Sequence, residues 1–151
     1  MSLEGNKVIV RRWFDEFWNA QQLEVADELL HPEYVDSPEH AAGAPSVAAS
    51  KEGAVTWHHI LPDMHFTIEE LVAEGDTVVA RWTVHGTHQG DWESQIGILP
   101  ASGKVTATGG TSSYALRDGK IIRAVNHIDF ENLMAQIGAH VAPRTTAASS
   151  S

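Results

Sequence analysis

The segment "RAVNHIDFENLMAQIG" (123–138) sets Asn126, His127 and Asp129 among apolar residues where a strand passes into a helix. A carboxylate or an imidazole there could carry a proton. An amide cannot, but it can donate a hydrogen bond to a carbonyl or a developing enolate. Two other stretches concentrate titratable groups: "HGTHQGD" (85–91) with His85, His88 and Asp91, and "WHHILPDMH" (57–65) with His58, His59 and His65. Metal ligands must converge on one point. Strand residues three apart face opposite sides, so His85 and His88 diverge, and helical neighbours such as His58 and His59 point about 100° apart. No metal site is expected, although any one of these imidazoles reaching a pocket would titrate near neutral pH. The aromatics Trp13, Phe14, Phe17, Trp18, Trp57, Trp82 and Trp92 recur at core spacing. A packed core explains them, and a ligand cage is the alternative. There is no G-x-S-x-G elbow, and neither Arg81 nor Arg123 stands between two aspartates.

The elements that must hold these groups follow from periodicity. Over 6–19, Ile9, Trp13 and Phe17 fall on one side at helical spacing with Val10 and Phe14 beside them, an amphipathic helix. "LEVADELL" (23–30) makes a second short helix stopped before Pro32, and "EYVDSP" (33–38) is a short extended piece. "EHAAGAP" (39–45) reads as a loop, and a third helix runs from Ser46 to the residue before Pro62. The period then changes. Strands are expected over 64–74, 77–90, 104–116 and 120–129, with a loop at 91–103 and a bulge or a bend at Gly109-Gly110. Asp118-Gly119 signals a tight hairpin. "FENLMAQIG" closes a single domain over 1–138 with a short helix, and 139–151 is a polar tail with little to bury. Helices first and an antiparallel meander after them make an α+β fold: N-terminal helices packed in a strongly curved antiparallel sheet, a cone-shaped α+β barrel. Such a cone has an apolar interior suited to a small molecule.

Composition narrows the partners. The 151 residues suit one domain, and 42% hydrophobic content is ordinary for a globular chain. Twenty acidic against ten basic residues give a net charge of −10, which repels phosphate backbones, so no nucleic-acid partner is expected. No apolar run approaches a membrane span of roughly 20 residues, and the N-terminus carries charges where a signal peptide would be apolar. The absence of cysteine excludes disulfides, thiolate metal sites and a cysteine nucleophile, and it suits the cytoplasm.

Within the last strand, Ile122, Ala124, Asn126 and Ile128 share one face. The Asp118-Gly119 turn brings residues near 112 opposite residues near 126, so Ser112 and Asn126 are expected to be cross-strand neighbours. A polar pair among apolar residues is either the working part of a pocket or a satisfied pair in a core.

The stretches "LPDMHFTIEELVAEGDTVVARWTVHGTHQG", "GILPASGKV" and "YALRDGKIIRAVNHIDFENLMAQIG", with "VRRWFDEFWN" and "LHPEYVDSP" near the N-terminus, resemble the SnoaL-like polyketide cyclase family of the nuclear-transport-factor-like superfamily. The resemblance runs from about Lys7 to Gly138. It implies the α+β cone, a homodimer paired through the outer sheet face, and ring closure by intramolecular aldol condensation without a cofactor. It also implies an acid–base aspartate on the last strand, three positions before the Asp matched by Asp129. That position holds Asn126. The family histidine of the preceding strand falls on Ser112, and Phe17 matches a pocket-lining aromatic of the first helix. Both departures remove a proton carrier. The expected catalytic set is therefore Asn126 polarising a carbonyl or holding a water, Ser112 supporting it, and a histidine moving the proton, His88 first and His127 second. Phe17, Trp13, Trp82, Trp57 and Asp129 are expected at the ligand. The loop 91–103, with Trp92 and Glu93, is expected to reshape the pocket mouth. The expected function is an enzyme on a small hydrophobic molecule, with a non-catalytic binding module or an interaction protein of the same fold as alternatives.

Overall fold

The structure, a computed structural model, describes residues 2–36, 47–94 and 96–139. The loop expected at 39–45 and the tail from residue 140 lie outside the described residues. Helix α1 (Leu3–Arg12) starts at Ser2, whose side chain accepts the Gly5 N–H, and runs into a π-helix (Trp13–Asn19). Helix α2 (Val25–Leu29) leads into strand β1 (Leu30–Asp36), and α3 (Val47–Ile60) follows. Then come β2 (His65–Glu74), β3 (Thr77–Thr87), a small hairpin of β4 (Trp92–Ser94) and β5 (Gly97–Leu99), β6 (Val105–Arg117), β7 (Lys120–Ile128) and α4 (Phe130–Gln136).

The sheet has the order β1-β7-β6-β3-β2 and is open, with β1 and β2 at its edges. The expected antiparallel meander is there, and β1 joins it by parallel pairing to β7, Asp36 against Ala124. Burial alternates along β3: Val78, Ala80, Trp82, Val84 and Gly86 are buried, the intervening side chains face outward, and His88 just past the strand end is buried too. The helices cover this inner face. Asp118 and Gly119 both adopt positive φ (54° and 74°), the geometry of a two-residue hairpin that matches strand twist.

Three expectations are corrected. The first helix is not α-helical throughout: the Ala20 N–H bonds to the Asp15 carbonyl, five residues back, and the seven residues Trp13–Asn19 wind as a π-helix. The segment 91–103 is not all loop, since it contains the β4–β5 hairpin. Gly109-Gly110 is not a bulge, because β3 and β6 keep continuous register there, Trp82 against Gly110 and Thr83 against Gly109. Gly110 serves a close approach instead. A Cβ at that position would press into the six-membered ring of Trp82 and lie 2.7 Å from the His127 carbonyl oxygen.

The π-helix is tied to the sheet by Asn19. Its Oδ1 accepts the Phe66 N–H at 2.7 Å and its Nδ2 donates to the Phe66 carbonyl at 3.0 Å, so one side chain satisfies a backbone pair on the edge strand β2. Asn19→Ala is expected to destabilise the fold by about 1–3 kcal/mol, because both backbone groups lose their partner in a half-buried site. Urea unfolding measures this, and a loss under about 0.5 kcal/mol would show that the link is dispensable.

Candidate functional site

Between the helices and the inner sheet face lies a cavity of about 350 Å³. Nine of its lining side chains carry aromatic rings. The π-helix explains part of this. In an α-helix Trp13 and Trp18 would point about 140° apart, at about 100° per residue. The wider i→i+5 winding brings residues five apart towards one side. Trp13, Phe14 and Trp18 all reach the cavity, and the rings of Trp13 and Trp18 meet edge-on with centroids 6.4 Å apart. On the opposite wall Trp57 of α3 and Phe130 of α4 lie 6.1 Å apart, and Trp92 of the β4–β5 hairpin packs against both.

Most polar groups gather on the sheet, on β1, β3, β6 and β7, and Ser50 of α3 also lines the cavity. Trp82 Nε1 donates to Ser112 Oγ at 2.9 Å, Ser112 Oγ donates to Asn126 Oδ1 at 2.5 Å, and Asn126 Nδ2 donates to Asp36 Oδ1 at 2.8 Å. The directions are fixed at both ends. An indole N–H can only donate and an ionised carboxylate can only accept. The amide must therefore turn its nitrogen to Asp36 and its oxygen to Ser112. One N–H of Asn126 is used by Asp36, and the amide has a second. Ser112 is 2% exposed, whereas Asn126 is exposed at the rim of the cavity it lines. Tyr34 and Tyr114 complete this end. Burial, reinforced by the charge of Asp36, pushes both phenols above their ordinary range. Among the described lining residues Asp36 is the one carboxylate, and there is no lysine, arginine or histidine.

The expected site residues divide. Asn126, Ser112, Trp13, Trp57 and Trp82 line the cavity together, and Ser112 pairs with Asn126 across β6 and β7 as the turn implied. Phe17 is fully buried behind the wall, stacked on Trp13 at 4.0 Å. Asp129 caps α4, accepting the Asn132 N–H at 3.0 Å, and is not at the cavity. His127 is exposed on the outer face opposite Thr111, because the strand is regular there and alternation turns it away from Asn126. His88 shares the inner face with Trp82 but stands six residues on, about 20 Å along the strand. Leu61 covers the intervening Gly86. The His88 Nδ1 accepts the Ser102 N–H at 3.2 Å, so His88 anchors the loop before β6 rather than serving the cavity. Missed from sequence were Asp36 and Tyr34. Their alternation in "EYVDSP" puts them on one face, but only the parallel pairing of β1 with β7 brings that face to Asn126.

The SnoaL-like polyketide cyclase model matches residues 8–137, nearly the whole described chain. The chain belongs to the SnoaL-like polyketide cyclase family. Solved structures share its fold. TsrD from Streptomyces laurentii superposes with a TM-score of 0.81 at 24% identity, over 92% of this chain and 98% of that one. A candidate polyketide cyclase from Acidithiobacillus ferrooxidans gives 0.76 at 27% identity, over 91% and 97%. A SnoaL-like polyketide cyclase from Agrobacterium tumefaciens gives 0.73 at 19% identity, over 91% and 100%. No curated protein matches the sequence. The α+β cone expected of a SnoaL-like chain is thus the fold observed. Among the described residues no helix is long and apolar enough to cross a membrane.

Tyr34 and Tyr114 are the chain's two tyrosines, which makes their burial measurable. Their folded-state pKa values lie above the unfolded value of about 10. The folded state therefore holds more protons than the unfolded one above that pH, and stability falls as pH rises past about 10. In an alkaline titration followed by phenolate absorbance, both phenols are expected to ionise only as the fold is lost. Reversible ionisation of either near pH 10 with the fold intact would contradict the buried placement.

Proposed function

We propose that this chain is a cofactor-independent enzyme that activates the carbonyl of a small, uncharged, ring-bearing hydrophobic substrate. The observation that carries the reading is the oriented amide of Asn126 at the polar end of an aromatic-walled cavity. Ser112 and Asp36 between them set which way that amide points, so its second N–H is pre-aimed for an oxygen that gains negative charge. Preorganised donors of this kind need no reorganisation when charge develops. The aromatic walls favour flat ligands. The volume stands near the lower end of the roughly 300–1,000 Å³ usual for small-molecule sites, which favours one or two rings over an extended polycycle. An aldol, isomerising or hydrolytic step would each use such an activated carbonyl.

A non-catalytic binding module is the second reading. It is favoured by what the resemblance implies, that Asn126 and Ser112 stand where such a cyclase is expected to carry an aspartate and a histidine. The interaction-protein alternative needs a filled interior, which an open cavity of this size disfavours. We also infer a cytoplasmic homodimer paired across the outer sheet face, where Val72 and Val79 are neighbours and exposed.

A thermal-shift screen of wild type and Asn126→Leu against small aromatic ketones, phenols, terpenoids and fatty acids tests the reading. A ligand that binds only the folded state raises the melting point by mass action. Bicyclic ketones are expected to stabilise wild type, by about 2.7 kcal/mol at a hundred times Kd, and to lose most of that effect in Asn126→Leu. No stabilising ligand across the panel, with both proteins folded, would overturn it.

A further inference from the structure

We propose that Asp36, on the edge strand β1, is the general base of this site, with the amide of Asn126 hydrogen-bonded to it. The inference rests on the carbonyl-activating reading above and supplies the proton carrier that reading lacks.

The family position on the last strand holds an amide, and the histidines considered from sequence do not reach the cavity: His88 lies beyond Leu61, and His127 faces outward. Tyr34 and Tyr114 are held protonated by burial, so neither is a base near neutral pH. Asp36 is the one carboxylate among the described lining residues, and it stands 2.8 Å from the Asn126 nitrogen. The hydrogen-bond chain from Trp82 through Ser112 to Asn126 ends by donating to this carboxylate. An aspartate at both positions would instead place two carboxylates within hydrogen-bond distance, and they would share one proton. The amide at 126 spares Asp36 that shared proton at this contact.

Chemically the step is an enolisation. A carboxylate oxygen of Asp36 takes a proton from the carbon next to the substrate carbonyl. The C–H bond breaks, its electron pair forms the new C=C, and the π pair of the C=O moves onto the carbonyl oxygen. That oxygen accepts the second N–H of Asn126. Return of the proton from Asp36 to carbon closes the cycle, with no oxidant or reductant involved.

The test uses 2-tetralone, an uncharged bicyclic ketone, in D₂O. Proton NMR follows both its binding, by line broadening, and deuterium exchange at its α-carbons. Wild type is expected to accelerate exchange over buffer. Asp36→Asn should reduce the enzyme-dependent rate by about 10²–10⁴-fold, the usual contribution of a general base, with binding and melting point kept. The double variant Asp36→Asn/Asn126→Asp, which restores one carboxylate facing one amide, should recover part of the rate. Asp36→Ser makes the same comparison should Asp36→Asn not fold. Wild-type exchange by a folded, ketone-binding Asp36→Asn or Asp36→Ser would place the base elsewhere and overturn this inference, while leaving the carbonyl-activating reading intact. Failure of wild type to bind or exchange 2-tetralone, or any ketone of the panel above, would overturn both.

Discussion

The bond on which the rest of the site depends is the one from the Trp82 indole to Ser112, 2.9 Å long and buried. An indole nitrogen cannot accept, so this bond takes a lone pair of the serine and leaves its proton for Asn126. That proton in turn decides which end of the amide faces Ser112 and which faces Asp36. A chain of four side chains joined by three hydrogen bonds thus has one consistent direction. Buried polar networks are stable only when every member is paired. The geometry that permits it is local: Trp82 lies across Gly110, where any Cβ would displace its ring.

Around this chain the fold supplies contrast. The aromatic side of the cavity comes from the inward-facing rings of the π-helix, α3 and α4. The polar side comes from the inner faces of β1, β6 and β7. The buried Trp82–Ser112 bond lies against this wall, where low dielectric strengthens it, and Asn126 and Asp36 carry the chain out to the exposed rim. Such a division suits a ligand that is flat and apolar over most of its surface with one carbonyl at its edge. The π-helix contributes by turning Trp18 in beside Trp13. Asn19, the last residue of that helix, keeps it in place by gripping the backbone of β2.

How much of this was legible in the sequence depended on range. The Asp118-Gly119 turn is a local signal, and it placed Ser112 opposite Asn126 because a two-residue hairpin leaves no freedom in register. Strand alternation separated His85 from His88 and turned His127 away from Asn126. It could not show that Leu61 stands between His88 and the cavity, since that contact joins elements far apart in the chain. Asp36 was missed for the same reason: "EYVDSP" carries its alternation openly, but the parallel partner of β1 lies some ninety residues on, and no local pattern announces it. The π-helix was hidden because its i→i+5 bonds leave the same amphipathic trace as an α-helix over so few residues. Resemblance to a family identified the fold, and the chemistry had to come from the side chains around the cavity.

The central claim is that the amide of Asn126 is held with its nitrogen turned toward the substrate oxygen. A crystal structure of the protein soaked with a bicyclic ketone tests it most directly. The account predicts the ketone oxygen about 2.7–3.1 Å from Asn126 Nδ2, the ring system between Trp13 and Trp57, and the Trp82–Ser112–Asn126 chain unchanged. A ketone seated with its oxygen away from Asn126, or an amide turned to offer its oxygen to the ligand, would contradict it.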